Sequence, residues 1–129
     1  MFKDMFSNKH KNEKDNTVEN VDAESFEKMI KEDENAVIID VRTSMENKML
    51  RIPNSLLIDI ASPFFIPELD KLDRNKNYYL YCRSGNRSFH AGNHMLKMGF
   101  KNVYHLQPGI IGWKGETEQD SSEEKNSTL

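Results

Sequence analysis

The sequence holds a single cysteine, Cys82, among 129 residues. That excludes an intramolecular disulfide and any cysteine-cluster zinc or iron–sulfur site, and it suits a reducing compartment. No apolar run approaches the length of a membrane span. The N-terminus carries scattered lysines without the apolar stretch of a secretory signal, so the expected location is cytoplasmic. Basic residues are not clustered as a nucleic-acid footprint requires. Net charge is −3; Glu116, Glu118, Asp120, Glu123 and Glu124 against Lys125 give −4 over residues 116–129, leaving +1 elsewhere. The apolar fraction is 36%, lowered mainly by the two ends. The centre is long enough to bury one core. The expectation is therefore a flexible segment over 1–17, one domain over 18–115 and a disordered acidic segment over 116–129.

What is present centres on Cys82-Arg83-Ser84-Gly85-Asn86-Arg87-Ser88. The run Tyr78–Tyr81 before it reads as a buried strand, and Phe89–Met98 after it reads as a helix. This places the cysteine at the C-terminal end of a strand, the edge where open α/β sheets bind ligands. Loop N–H groups and the positive end of the helix surround the sulfur. With Arg83 and Arg87 close by, such surroundings favour a thiolate. A lone cysteine is more often a small buried hydrophobe. However, Ser, Gly, Asn and two arginines make poor core, and Gly85 permits a turn that other residues resist.

The remaining elements read in order. Val18–Val21 is a candidate edge strand, and Asp22 a candidate N-cap for a helix over Ala23–Lys31 with Phe26, Met29 and Ile30 inward. Ala36–Asp40 reads as a central parallel strand. Asp40 at its end reads as an acceptor that shapes nearby loops, and Arg42 with Glu46 as a structural ion pair. Ser44–Met49 makes one helical turn, and Leu56–Ile60 a strand. Ser62 and Pro63 cap and open a short helix over Phe64–Leu69. Beyond the loop, Ala91, Gly92 and Met95 face the sheet. His90 and His94 share the other face, which reads as solvated rather than metal-binding, so no metal is expected. Gly99 suits a helix end, and Val103–Leu106 is a closing strand. Ile110, Ile111 and Trp113 should lie under the Gln107-Pro108-Gly109 turn. Phe2, Met5 and Phe6 stand at helical spacing in the polar N-terminal segment.

The loop closely resembles the active-site loop of rhodanese-like sulfurtransferases. Val37-Ile38-Ile39-Asp40-Val41-Arg42 with Glu46 resembles that family's first core strand and Asp-Val-Arg signature. Ile52-Pro53-Asn54-Ser55 is similar to its Gly-His-Ile-Pro-Gly-Ala segment, and Gly99 to Leu106 followed by Gly109 and Trp113 to its closing strand and last turn. Asn47 stands where the family has an aromatic, Leu50-Arg51 where it has Gly-His, and Gln107-Pro108 where it has an acidic residue and the first glycine of a pair. The resemblance spans about Val18 to Gly115. It implies a three-layer α/β fold, with a mostly parallel sheet of about five strands and helices on both faces.

The implied activity is sulfane-sulfur transfer without a cofactor, from thiosulfate or a low-molecular-weight persulfide through a Cys82 persulfide. Cyanide, a small thiol or a thiol-bearing protein would be the acceptor. Arg83, Ser84, Gly85, Asn86, Arg87 and Ser88 would bind the substrate, supported by Asp40 and Arg42. Two other readings stand beside it. A phosphatase or arsenate reductase on this fold would use Cys-x5-Arg, whereas Cys82 to Arg87 is Cys-x4-Arg. A binding or persulfide-sensing module would keep the loop without turnover.

Overall fold

The computed structural model describes residues 17–121. The expectations for residues 1–16, including Phe2, Met5 and Phe6, and for 122–129 lie outside the described residues. Five strands form one wholly parallel sheet: β1 (Glu19–Val21), β2 (Ala36–Asp40), β3 (Ser55–Leu57), β4 (Asn77–Tyr81) and β5 (Asn102–Leu106), in the order β1-β5-β4-β2-β3. Four helices connect them: α1 (Ala23–Glu32), α2 (Ser44–Met49), α3 (Phe65–Asp70) and α4 (Asn86–Lys97). A 3-10 turn covers Ile110–Gly112.

The central strand β4 is apolar almost throughout because helices cover both faces of the sheet. Its side chains alternate between two cores. Tyr78, Leu80 and Cys82 join Ile39, Val41, Phe65, Ala91, Met95 and Val103 on the side of α3 and α4. Tyr79 and Tyr81 join Phe26, Ile52 and Leu106 on the side of α1. This two-residue period fixes which face each functional side chain takes.

Most boundaries match the pattern. Asp22 accepts from Ser25 N–H at 2.8 Å as the N-cap of α1. Gly99, at φ 97°, follows the C-cap of α4. β3 covers Ser55–Leu57 rather than the expected Leu56–Ile60, because its pairing with β2 stops where β2 ends at Asp40. Four further details differ. First, α4 starts at Asn86, three residues before the expected Phe89, because Gly85 takes the left-handed N-cap conformation at φ 101° and its carbonyl accepts from Phe89 N–H. Second, α3 begins at Phe65, so Pro63 lies outside it; Ser62 Oγ accepts from Phe64 N–H, and Pro67 sits in the first turn, where a missing N–H is harmless. Third, Ile111 is 65% exposed rather than packed under its turn.

The fourth difference is at the C-terminus. Residues 116–121, expected to be disordered, lie against the domain. Arg51 and Glu118 exchange two backbone hydrogen bonds of 2.9 Å, and Asp120 N–H donates to Lys48 O. The Arg51 guanidinium pairs with Glu118 at 3.0 Å and Asp120 at 2.8 Å. An arginine at position 51 gives the acidic segment a charged partner that composition alone does not reveal.

Candidate active site

β4 delivers Cys82 to the C-terminal edge of the sheet, and its side chain turns toward the start of α4. The residue is 1% exposed. Its sulfur accepts from Gly85 N–H at 3.1 Å and from Ser88 N–H at 3.4 Å, and it lies 3.5 Å from Ser88 Oγ. Burial alone would raise the thiol pKa. The Ser88 hydroxyl and the N–H groups of Ser88, Gly85 and Ser84 outweigh it, so the pKa falls below the ordinary value. Donors aimed at a sulfur from a loop and a helix start stabilise its anion.

The cradle is held from beneath by the turn after β5. Ile110 N–H donates to Cys82 O at 2.9 Å and Ile111 N–H to Arg83 O at 3.2 Å. Gly109, at φ 76°, must be glycine here, since a Cβ would fall 2.0 Å from Arg83 O. A Cβ on Gly85 would likewise meet Gln107 O at 2.1 Å. The two loops touch backbone to backbone, and this contact fixes the shape of the ring around the sulfur.

The predicted site residues separate into three groups. Cys82, Ser84, Gly85 and Ser88 converge on the sulfur. Arg83 and Asn86 are exposed on the crest of the loop. Arg87 turns to Glu46, with two bonds of 2.9 and 3.0 Å. The Arg87 hydrogen bonds, against burial and aided by Thr43 N–H, lower the Glu46 pKa to about 2. The expected partnership of Arg42 with Glu46 is therefore exchanged. Glu46 sits in the first turn of α2, capped to Thr43 and facing α4, while Arg42 folds back two residues onto Asp40 at 2.9 Å.

Asp40 and Arg42 belong to the other face. Asp40 pairs in register with Tyr81, and its carboxylate accepts from Arg42 N–H, Nε and Nη2, from Asn47 Nδ2 and from the Tyr81 hydroxyl. Arg42 also donates to Leu50 O. The pair braces the loops after β2, and none of its hydrogen bonds reaches the sulfur.

One residue escaped the sequence reading. His105, on β5 and 1% exposed, places Nδ1 2.9 Å from Ser88 Oγ and Nε2 2.6 Å from Asn20 Oδ1. Burial lowers its pKa to about 4, so the ring is neutral. The available signal was its register: Val103 and His105 alternate onto the face that α4 covers. His90 and His94 are exposed on α4. Among the described residues, no group of three or more His, Cys, Asp and Glu side chains is arranged to hold a metal ion, and no helix is long and apolar enough to cross a membrane.

A parallel sheet with one cysteine cradled where its central strand meets a helix defines a rhodanese-like α/β domain. The Rhodanese-like domain family matches residues 22–116, and the chain belongs to that family. It is 30% identical over 97 residues to a sulfurtransferase of Allochromatium vinosum, covering 74% of this chain and 88% of that one. It is 32% identical over 109 residues to a Bacillus subtilis protein named "Putative sulfur carrier protein YrkF", covering 84% of this chain but 58% of that one. A tRNA uridine(34) hydroxylase of Buchnera aphidicola is 37% identical over 91 residues, of which the chain spans 28%. In structure it is similar to a rhodanese-like domain protein from Staphylococcus aureus, with TM-score 0.70 and 27% identity, over 81% of this chain and 100% of that one.

Proposed function

We propose that this protein is a rhodanese-type sulfurtransferase that carries a sulfane sulfur on Cys82. The observation behind this reading is the sulfur ring itself: the N–H groups of Ser84, Gly85 and Ser88, with the Ser88 hydroxyl, favour a sulfur anion. In the first half-reaction the Cys82 thiolate attacks the outer sulfur of thiosulfate. A new S–S bond forms, the thiosulfate S–S bond breaks, and sulfite leaves with the bonding pair. In the second, cyanide or a thiolate attacks the outer sulfur of the persulfide and Cys82 thiolate returns. A low-molecular-weight persulfide serves as donor in the same way. The same ring of donors holds thiolate and persulfide, so neither step needs a base once the thiolate has formed.

The dimensions favour a single-atom cargo over a phosphoryl group. Cys82 is buried, its ring closes in Cys-x4-Arg, and Arg87 is already committed to Glu46. A phosphatase loop needs its arginine on the transferred oxyanion. The near-complete burial of Cys82 motivates the second reading, a sensor that stores sulfur without turning it over. Steady-state assay with thiosulfate and cyanide decides between them. Thiocyanate formed catalytically, and lost in Cys82→Ser, supports the transferase; stoichiometric loading without turnover supports the sensor. The hydroxylase activity of the longer relatives is not proposed, since the chain spans so little of them.

A further inference from the structure

A hydrogen-bonded chain leads away from the sulfur through the domain. It runs from Cys82 Sγ to Ser88 Oγ at 3.5 Å, on to His105 Nδ1 at 2.9 Å, and from His105 Nε2 to Asn20 Oδ1 at 2.6 Å. Ser88 is 0% and His105 1% exposed. Asn20 is exposed on the edge strand β1, paired in register with His105. A core histidine needs only one satisfied partner on each nitrogen. This one joins the reactive sulfur, at the end of the central strand, to the β1 edge of the sheet.

The serine hydroxyl has one proton to give, and the histidine tautomer decides where it goes. With the proton on Nε2, His105 donates to Asn20 and accepts the Ser88 proton at Nδ1. Ser88 then offers only an acceptor to Cys82, which suits the thiol. With the proton on Nδ1, His105 donates to Ser88, and the Ser88 hydroxyl is freed to turn its proton onto the sulfur, which as a thiolate is a stronger acceptor than the Gly85 carbonyl 3.4 Å away. Nε2 then accepts from the Asn20 amide, whose exposed side chain can rotate.

We propose that His105 is a positioning residue that, by changing tautomer, reverses the Ser88 hydroxyl from acceptor to donor at Cys82 and relays the thiol proton to the sheet edge. The thiol proton passes to Ser88 oxygen, the Ser88 proton passes to Nδ1, and the Nε2 proton passes to water beside Asn20. The S–H, O–H and N–H bonds broken are replaced by O–H and N–H bonds and one protonated water. No electrons change hands. The low basicity of the buried ring keeps it neutral at both ends of the relay. Among the described residues no charged group shifts the ring: the Phe89 ring lies 5.8 Å away, and exposed His90 meets Phe89 edge-on at 5.4 Å. On β1, the Glu19 carboxylate acts on Tyr104. The inference rests on Cys82 as the reactive sulfur, and not on which donor or acceptor it serves.

The test uses the full chain with 15N-labelled histidine. Long-range 1H–15N spectra follow the two ring nitrogens of His105 through a pH titration, and the alkylation rate of Cys82 is measured in parallel. The wild-type ring should pass from the Nε2-protonated to the Nδ1-protonated pattern at the inflection of Cys82 alkylation. Ser88→Ala should hold one tautomer throughout and slow alkylation at neutral pH about tenfold, as expected for one lost hydrogen bond to a charged group. A wild-type tautomer that stays constant across the Cys82 inflection overturns the relay, as does a switch that persists in Ser88→Ala. Turnover is not part of the readout. An inactive enzyme with a switching ring would sink the transferase reading and leave the relay standing.

Discussion

Replacing Asp40 by asparagine should cost much of this domain's stability while leaving the chemistry of Cys82 in place. The substitution keeps volume and removes the charge. It leaves the Arg42 guanidinium, with a side chain 5% exposed, without its anion. The new amide N–H group would also face donors from Arg42, Asn47 or Tyr81 that now share two carboxylate oxygens. Breaking one side of a buried pair costs about 3–5 kcal/mol, against about 5–15 kcal/mol for a whole domain. At about 4 °C per kcal/mol for a domain this size, the thermal midpoint should fall by roughly 12–20 °C. Urea unfolding followed by circular dichroism should show a lower midpoint at unchanged slope. Because the hydrogen bonds of Asp40 lie on the Tyr81 side of the sheet, Cys82 alkylation in the folded variant should stay close to wild type. A variant of wild-type stability, or one that folds normally but loses Cys82 reactivity, would refute the bracing role.

Glu46 supplies a pH signature. Its folded pKa, about 2, lies below the ordinary 4.5, so its contribution is complete above about 4.5 and lost as pH falls toward 2. Urea midpoints at pH 5 and pH 2.5 should therefore differ less in Glu46→Gln than in wild type; equal differences would show that the Arg87 pair does not stabilise the fold. Truncation after Gly115 removes the Arg51 clamp. Partly exposed pairs contribute about 0.2–1 kcal/mol each and backbone hydrogen bonds about 0.5–1.5 kcal/mol each. The shortened chain should unfold cooperatively at a lower urea midpoint with Cys82 still reactive; loss of cooperative unfolding would make the segment part of the core. Gly109→Ala should distort the cradle and slow Cys82 alkylation, because its Cβ collides with the Arg83 and Ser84 backbone. Wild-type alkylation kinetics in that variant would mean the two loops are not rigidly coupled.

The sheet was legible because apolar runs such as Ala36–Asp40 and Tyr78–Tyr81 carry a local signal, as does the helix stop at Gly99. The start of α4 was misplaced because Asn86, Arg87 and Ser88 have loop-like composition, and only the left-handed Gly85 makes them the first helical turn. The cysteine loop was legible as a candidate site, but the partners of its side chains were not. Glu46 and Arg87 are 41 residues apart, Ser88 and His105 are 17 apart, and Arg51 and Glu118 are 67 apart. No spacing rule connects such pairs. Two departures from the family pattern find physical roles in the fold: Asn47 donates to Asp40, and Arg51 anchors residues 118–120.

The central claim is that Cys82 alone carries the sulfur. Intact-mass spectrometry after incubation with thiosulfate or a small persulfide tests it directly. The wild-type chain should gain the mass of one sulfur atom, lose it on treatment with a reductant or cyanide, and gain nothing as Cys82→Ser. A serine variant that still takes up sulfur, or a wild-type chain that takes up none from any donor, would contradict it.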